Sequence, residues 1–234
     1  MAGVSSILDV IGRLLPAFRV DIIQRSLLFL LQGAWMTLRL TTLAVFFGII
    51  IGTFVGIARV SKGRLISLLA AVYVDFLRGT PLLVQIFLIH MGLPQLIGSP
   101  VPPYISALSA LSINSGAYVA EIIRAGIQSI HRGQMEAARS LGMSYAQAMR
   151  YVILPQAFRR IIPPLGNEFI ALLKDSSLVS VIAMEELVRK GQIVIGRTFR
   201  PFEIWTMVAI MYLVMTVSIS RLVAFTEKKL HIPH

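Results

Sequence analysis

Five stretches of this chain stay largely apolar for about 20 residues or more, the length a helix needs to cross the hydrocarbon of a bilayer. They cover residues 27–58, 65–97, 103–123, 161–182 and 202–225. Inside a bilayer each backbone N–H and C=O must be paired within the protein, so such stretches are read as helices. The composition agrees: 56% of the 234 residues are hydrophobic and 14% are charged, where a soluble domain carries roughly a quarter charged. The reading is an all-α integral membrane protein with five transmembrane helices. Residues 27–227 form its membrane domain. Residues 1–26 read as an interfacial amphipathic segment, and 228–234 as a tail. The first apolar run is interrupted by Asp9, Arg13 and Pro16, which is unlike a cleavable signal.

The net charge of +11 raises two readings, nucleic acid and membrane topology. The positions of the cations separate them. Arg59, Lys62 and Arg64, then Arg132, Arg139, Arg150, Arg159 and Arg160, then Lys228 and Lys229 lie mainly at the ends of apolar runs. No basic stripe alternates with aromatic residues, so nucleic acid is excluded as a partner. Loops rich in lysine and arginine stay in the cytoplasm. That places the C-terminus in the cytoplasm and the N-terminus outside. The segment 185–200 runs against this orientation, with Arg189, Lys190, Arg197 and Arg200 only partly balanced by Glu185, Glu186 and Glu203. The absence of cysteine excludes disulfides, thiol catalysis and cysteine-ligated metals.

The third and fourth spans are separated by a polar insert, residues 131–156. It reads as two short helices, the first broken by Gly142. Ser144 caps the second, with Gln147 as capping-box partner, and Pro155 ends it. Leu141, Met143, Tyr145 and Met149 are apolar knobs that suit a socket on a partner protein. A surface helix resting on lipid headgroups is the alternative.

Ionisable residues at bilayer depth are costly and point to function. Asp75 and Arg78 share a helix face just before Gly79-Thr80-Pro81, where the missing proline N–H frees helix carbonyls. Arg78 is a candidate for a substrate carboxylate, with Thr80 and Gln85 adding hydrogen bonds. A self-neutralising Asp75–Arg78 pair is the alternative. Asn114 and Glu121 lie on one face of the third span. Glu121 reads either as a contact for a cationic or amide group, or as a salt bridge to Arg124 or to the insert. Asn167, Glu168, Lys174 and Asp175 form a polar stripe on the fourth span, facing a pathway or a subunit interface. His90 reads as hydrogen-bonded packing. Gly48, Gly52 and Gly56 read as a helix-packing face, and Met207, Met211 and Met215 as core.

Glu136-Ala137-Ala138, Gly142, Val152 and Leu154-Pro155 follow a spaced pattern. It resembles the signature loop of permease subunits of binding-protein-dependent ATP-binding cassette (ABC) importers, with Val152 where isoleucine is usual. Phe76–Gln85, Ser115–Ile122, Leu165–Phe169 and Lys174–Leu178 resemble the polar amino acid branch of that family. The resemblance spans roughly residues 30–227. It implies the type I importer permease fold and a place in a bacterial inner membrane. It also implies two ATPase subunits that carry ATP and magnesium, a second permease subunit (an identical or a homologous chain) and an extracytoplasmic binding protein that delivers an amino acid. Glu136, Ala137, Ala138, Leu141, Gly142 and Met143 would form the coupling helix seated in the ATPase. This chain has no phosphate-binding loop, so it is expected not to be an enzyme and to hold no cofactor. A carrier or channel driven by an ion gradient, with Asp75 or Glu121 as its ion site, is the competing reading.

Overall fold

The structure is a computed structural model that describes residues 20–61 and 63–229. All regular structure among these residues is helical. Helix α1 spans Val20–Val60, α2 Arg64–Gly79, α3 Leu82–Ile97 and α4 Pro103–Gln128. The insert supplies α5 (Arg132–Ser140) and α6 (Tyr145–Ala148), and α7 runs Leu154–Asp175. After a 3₁₀ stretch, Ser176–Ile182, come α8 (Leu187–Thr198) and α9 (Pro201–Lys229). Residues 20–26, read from sequence as the end of an interfacial segment, are the opening turns of α1. Residues 1–19 and 230–234, the rest of that segment and most of the tail, lie outside the described residues.

Helix α4 is the centre of the bundle, and glycine is the reason. A Cβ on Gly48 would lie 2.8 Å from Ser115 Oγ, one on Gly52 2.5 Å from Val119 Cβ, and one on Gly56 3.0 Å from the Ala120 carbonyl oxygen. Both numbers in each pair rise together, so α1 and α4 run parallel along this face. The approach is reciprocal, since a Cβ on Gly116 would meet Ile51 at 2.8 Å. The packing face read from the glycine spacing is therefore real. Helix α7 closes on the other side of α4, where a Cβ on Gly126 would collide with Ile161 Cγ1. Helix α9 seals α7 through Val223 against Gly166. Met207 and Met215 are buried with Leu30, Leu173 and Ile204, as expected for core.

This layout explains why the spans differ so much in hydropathy. Among the described residues, only α1 and α9 are both long enough and apolar enough to cross a membrane alone. Helix α4 is 26 residues long, about 39 Å, yet it is built from alanine, serine and glycine. Its buried residues include Ala107, Ala110, Ser112, Ser115, Gly116 and Ala117. Its neighbours shield it, so close packing matters more there than hydrophobicity.

The interruption expected at Gly79–Pro81 is a bend of 105° between α2 and α3. Pro155 differs from expectation. It does not end a helix but sits in the first turn of α7, directly after a π-turn at Met149–Ile153 that joins α6 to α7. The Leu154 N–H reaches the Met149 carbonyl, five residues back. The widened turn absorbs the missing proline N–H and makes room for its ring. The same device recurs in α3. A π-turn at Leu88–Gly92 precedes Leu93-Pro94, and the Leu93 N–H bonds the Leu88 carbonyl.

Replacing Gly52 by valine should push α1 off α4 and destabilise the protein by about 1–3 kcal/mol. Gly196→Ala, inside α8 where a Cβ meets nothing within 4 Å, should not destabilise and should add up to about 1 kcal/mol. Thermal unfolding of the detergent-solubilised proteins measures both.

Candidate functional site

Thr80 and Pro81 are extended (ψ 145° and 134°), so the last carbonyls of α2 lose their helical partners at membrane depth. Thr80 Oγ1 donates to the Phe76 carbonyl at 2.9 Å, and Gln85, one turn into α3, serves the next. Its Nε2 donates to the Leu77 carbonyl (2.8 Å), the Thr80 carbonyl (3.1 Å) and Thr80 Oγ1 (2.9 Å). Its Oε1 accepts from Asn114 Nδ2 on α4 at 2.9 Å. Gln85 and Asn114 are both buried. Three residues read from sequence as substrate contacts thus brace the bend, and the amide of Gln85 is used up in doing so.

Arg78 and Tyr118 are held where α2 meets α4, the guanidinium 5.2 Å from the ring centroid. Two clefts share this pair. One, of about 390 Å³, lies at the bend and is lined by Arg78, Thr80, Asn114, Tyr118, Asp175 and Leu178 among others. The other, of about 500 Å³, is lined by Arg78, Tyr118, Glu121, Ser129, Arg160 and Pro164 among others. Half of the eight expected site residues therefore converge on the first cleft: Arg78, Thr80, Asn114 and Asp175. Glu168 lies within electrostatic reach of both Arg78 and Asp175. Asn167, Lys174 and Asp175 are exposed on α7, whereas Glu168 is half-buried. The stripe is present, and Asp175 carries its end into the cleft at the bend.

Glu121 has a different environment from the one expected of a substrate contact. Its carboxylate is gripped by Arg124, with Nη2 at 2.8 Å and Nε at 3.1 Å from both oxygens. Arg59 from α1 stands at 3.3 Å and Arg78 at 3.7 Å. Asp75 faces Arg59 at 3.7 Å, so the expected Asp75–Arg78 pair is replaced by a tie between helices. Arg59 and Tyr118 were not singled out from sequence. Arg59 reads there as a topology signal, and only the α1–α4 register brings it to Glu121. His90 bonds Ser106 Oγ at 3.0 Å and pins the π-turn of α3 to α4, as packing.

The insert has the expected sharp turn. Gly142 has φ +85°, a region where only glycine is unstrained. The Met143 N–H bonds the Ala138 carbonyl and the Gly142 N–H bonds that of Arg139, a Schellman closure of α5. Arg139 Nη1 ties the turn to the Met143 carbonyl at 2.7 Å. Both halves of the Ser144–Gln147 capping box form. Ala138 and Ala148 are buried between the two helices, and Leu141 is left 83% exposed at the tip. Glu136 and Ala137 are exposed on the same helix, and Met143 is half-buried.

These features describe a helical membrane domain with a charged cleft between its helices and a rigid knobbed elbow at one end. Comparison with known proteins gives it a family. Residues 44–232 match the family of binding-protein-dependent transport system inner membrane components. The glutamine transport system permease protein GlnP of Escherichia coli (strain K12) is 42% identical over 204 residues, which is 87% of this chain and 93% of that protein. The probable glutamine ABC transporter permease protein GlnM of Bacillus subtilis (strain 168) is 40% identical over 200 residues, 86% and 92%. A crystal structure of an amino acid ABC transporter with histidines superposes with a TM-score of 0.86 at 48% identity, covering 90% of this chain and 97% of that one. An inward-facing MetNI methionine ABC transporter shares the fold at 20% identity, with a TM-score of 0.71 over 86% and 95%. The chain belongs to the family of inner membrane components of binding-protein-dependent transport systems, and its fold is that of the type I importer permeases.

Gln85→Leu should cost about 1–3 kcal/mol, because it strands the Leu77 carbonyl and the Asn114 amide in a buried place. Thermal unfolding equal to that of the parent protein would refute the brace.

Proposed function

We propose that the chain is a permease subunit of an ATP-driven importer for a polar amino acid, glutamine or a basic one, and that with a second permease subunit it encloses the path. One observation carries this reading. The cleft at the α2–α3 bend sets a cation, Arg78, and a carboxylate, Asp175, around a single space, and a zwitterion needs one of each. Arg78 meets the substrate's carboxylate, Asp175 its ammonium, and Thr80 Oγ1 lies beside them. Glu168 and Asn167 extend the polar path along α7. The names of the relatives, two of them glutamine permeases, support the substrate class.

The exposed charges on α7 support the second subunit, since each charged residue facing hydrocarbon would cost roughly 2.5–3.5 kcal/mol. They face instead the path and the partner permease. The bundle also gathers the basic clusters at the insert end, in keeping with five spans, a cytoplasmic insert and an outside N-terminus. The α5–α6 elbow, with Leu141 at its tip and Glu136 and Ala137 beside it, seats in a partner ATPase, which supplies ATP and magnesium. The extracytoplasmic binding protein docks at the opposite end.

The test reconstitutes the chain with its partner ATPases and binding protein in lipid nanodiscs or vesicles. Uptake should require ATP, and uptake at full rate on an ion gradient alone would favour the gradient-driven carrier. Arg78→Ala should weaken glutamine binding to the complex about tenfold or more, the worth of a charged hydrogen bond. Unchanged binding would refute the carboxylate role. Gly142→Asp should leave membrane insertion intact and uncouple ATP hydrolysis from uptake, because it forces an L-residue into a left-handed turn. The chain has no cysteine, so Leu141→Cys gives a single thiol that should crosslink to a thiol in the ATPase cleft.

A further inference from the structure

We propose that Glu121 is the counter-ion of a latch that the substrate's own carboxylate opens. The inference rests on the reading of Arg78 as the partner of that carboxylate. Glu121 stands where three helices meet, and each brings it a guanidinium: Arg59 from the end of α1, Arg78 from α2 and Arg124 from α4 itself. Asp75 joins the cluster from α2, where it faces Arg59 and is itself largely exposed.

The three contacts are not equal. Arg124 is bidentate at 2.8–3.1 Å and Arg59 lies at 3.3 Å, whereas Arg78 lies at 3.7 Å. The side chain of Arg78 is also the most exposed, at 44% against 30% for Arg124 and 18% for Arg59. Arg78 is therefore the arm that detaches at least cost. Its departure does not leave a bare carboxylate, the usual penalty for breaking a buried pair, because Arg59 and Arg124 still neutralise Glu121. Arg78 already borders both clefts. A carboxylate arriving in the cleft at the bend competes with Glu121 for the same guanidinium. When Arg78 turns to it, the link from α2 to α4 through Glu121 is released, while the Arg59–Asp75 tie between α1 and α2 stays. Substrate presence is thereby converted into a loosened contact between helices.

Glu121 is a positioning residue here, acting through Arg78. The experiment uses the permease with its partner ATPases in nanodiscs, with L-glutamine as the probe. It reads two quantities, the half-saturating glutamine concentration by titration calorimetry and the ATPase rate without substrate. Glu121→Gln keeps the shape and removes the charge. Half-saturation should fall by up to about fivefold, the worth of one partly exposed ion pair, and the substrate-free ATPase rate should rise. A purely structural role for Glu121, or a direct contact with the substrate, would weaken binding instead. Weaker binding, or no change in either quantity, overturns the latch. If Glu121→Gln fails to assemble, Glu121→Asp decides. Its shorter side chain loses the 3.7 Å arm before the bidentate one, so both shifts should keep their direction at smaller size. Arg78→Ala separates the two readings. If it leaves binding unchanged, the carboxylate role of Arg78 fails. If it weakens binding while Glu121→Gln changes nothing, only the latch fails.

Discussion

A buried amide lets this membrane helix turn through a right angle. Where the end of α2 is buried against α3 and α4, its carbonyls need donors from the protein itself, and each one left unpaired there would cost kilocalories. Gln85 supplies them to the Leu77 and Thr80 carbonyls, Thr80 Oγ1 supplies one to that of Phe76, and Asn114 fixes the orientation of the Gln85 side chain. Everything charged at the cleft follows from this. Arg78 is the penultimate residue of α2, held beside Tyr118 and Glu121 because the helix stops there. A straight span through Thr80 and Pro81 would have no cleft at this level, since α3 would continue along the α2 axis.

A second consequence of proline chemistry concerns how the insert is joined to the bundle. Had Pro155 ended a helix, the elbow would hang from a flexible joint. The π-turn before it keeps the chain helical from Tyr145 through Asp175, a rod of about 45 Å. One end carries the Ser144–Gln147 cap and the other carries Glu168 and Asp175. The elbow and Asp175, which lines the cleft at the bend, thus share one continuous helical backbone. Pro163 and Pro164, inside that rod, withdraw two N–H groups and leave the Arg159 and Arg160 carbonyls without helical partners. Pro164 and Arg160 both line the larger cleft.

Much of this was legible in the sequence because it is written in local spacing. The glycine ladder of α1, the Ser144–Gln147 box, the Gly142 turn and the break at Gly79–Pro81 each depend on residues within one or two turns of each other. The roles of Gln85 and Asn114 were not legible, and for Glu121 only the salt bridge to Arg124, one turn away, was; the other partners are brought in by packing. Asn114 lies 29 residues from Gln85, and Arg59 lies 62 from Glu121. A polar residue in an apolar run looks the same whether it waits for a ligand or pairs with a neighbour. Only the register of α4 against α1 and α2 separates the two. Pro155 was misjudged for a related reason: the rule that proline ends a helix assumes an α-turn before it, and a π-turn removes the clash.

The basic segment 185–200, which counted against the orientation proposed here, loses most of its weight once its contacts are known. Lys190 is buried, its ammonium 3.9 Å from the centre of the Phe29 ring, bonded to Gln32 Oε1 at 3.3 Å and facing Glu185 at 3.7 Å. Arg200 pairs with Glu203 at 3.7 Å. Glu186, fully buried, caps α8 by accepting from the Val188 and Arg189 N–H groups, and Tyr212 donates to it from α9. These side chains fasten α8 onto α1 and α9, where the Leu187 backbone packs against Gly33. The positive-inside rule concerns charges left in short loops for the membrane to sort. Charges already paired and packed within the fold are a different population, and with Lys190 and Arg200 set apart, only Arg189 and Arg197 remain. Two cations there do not outweigh the basic clusters gathered at the insert end.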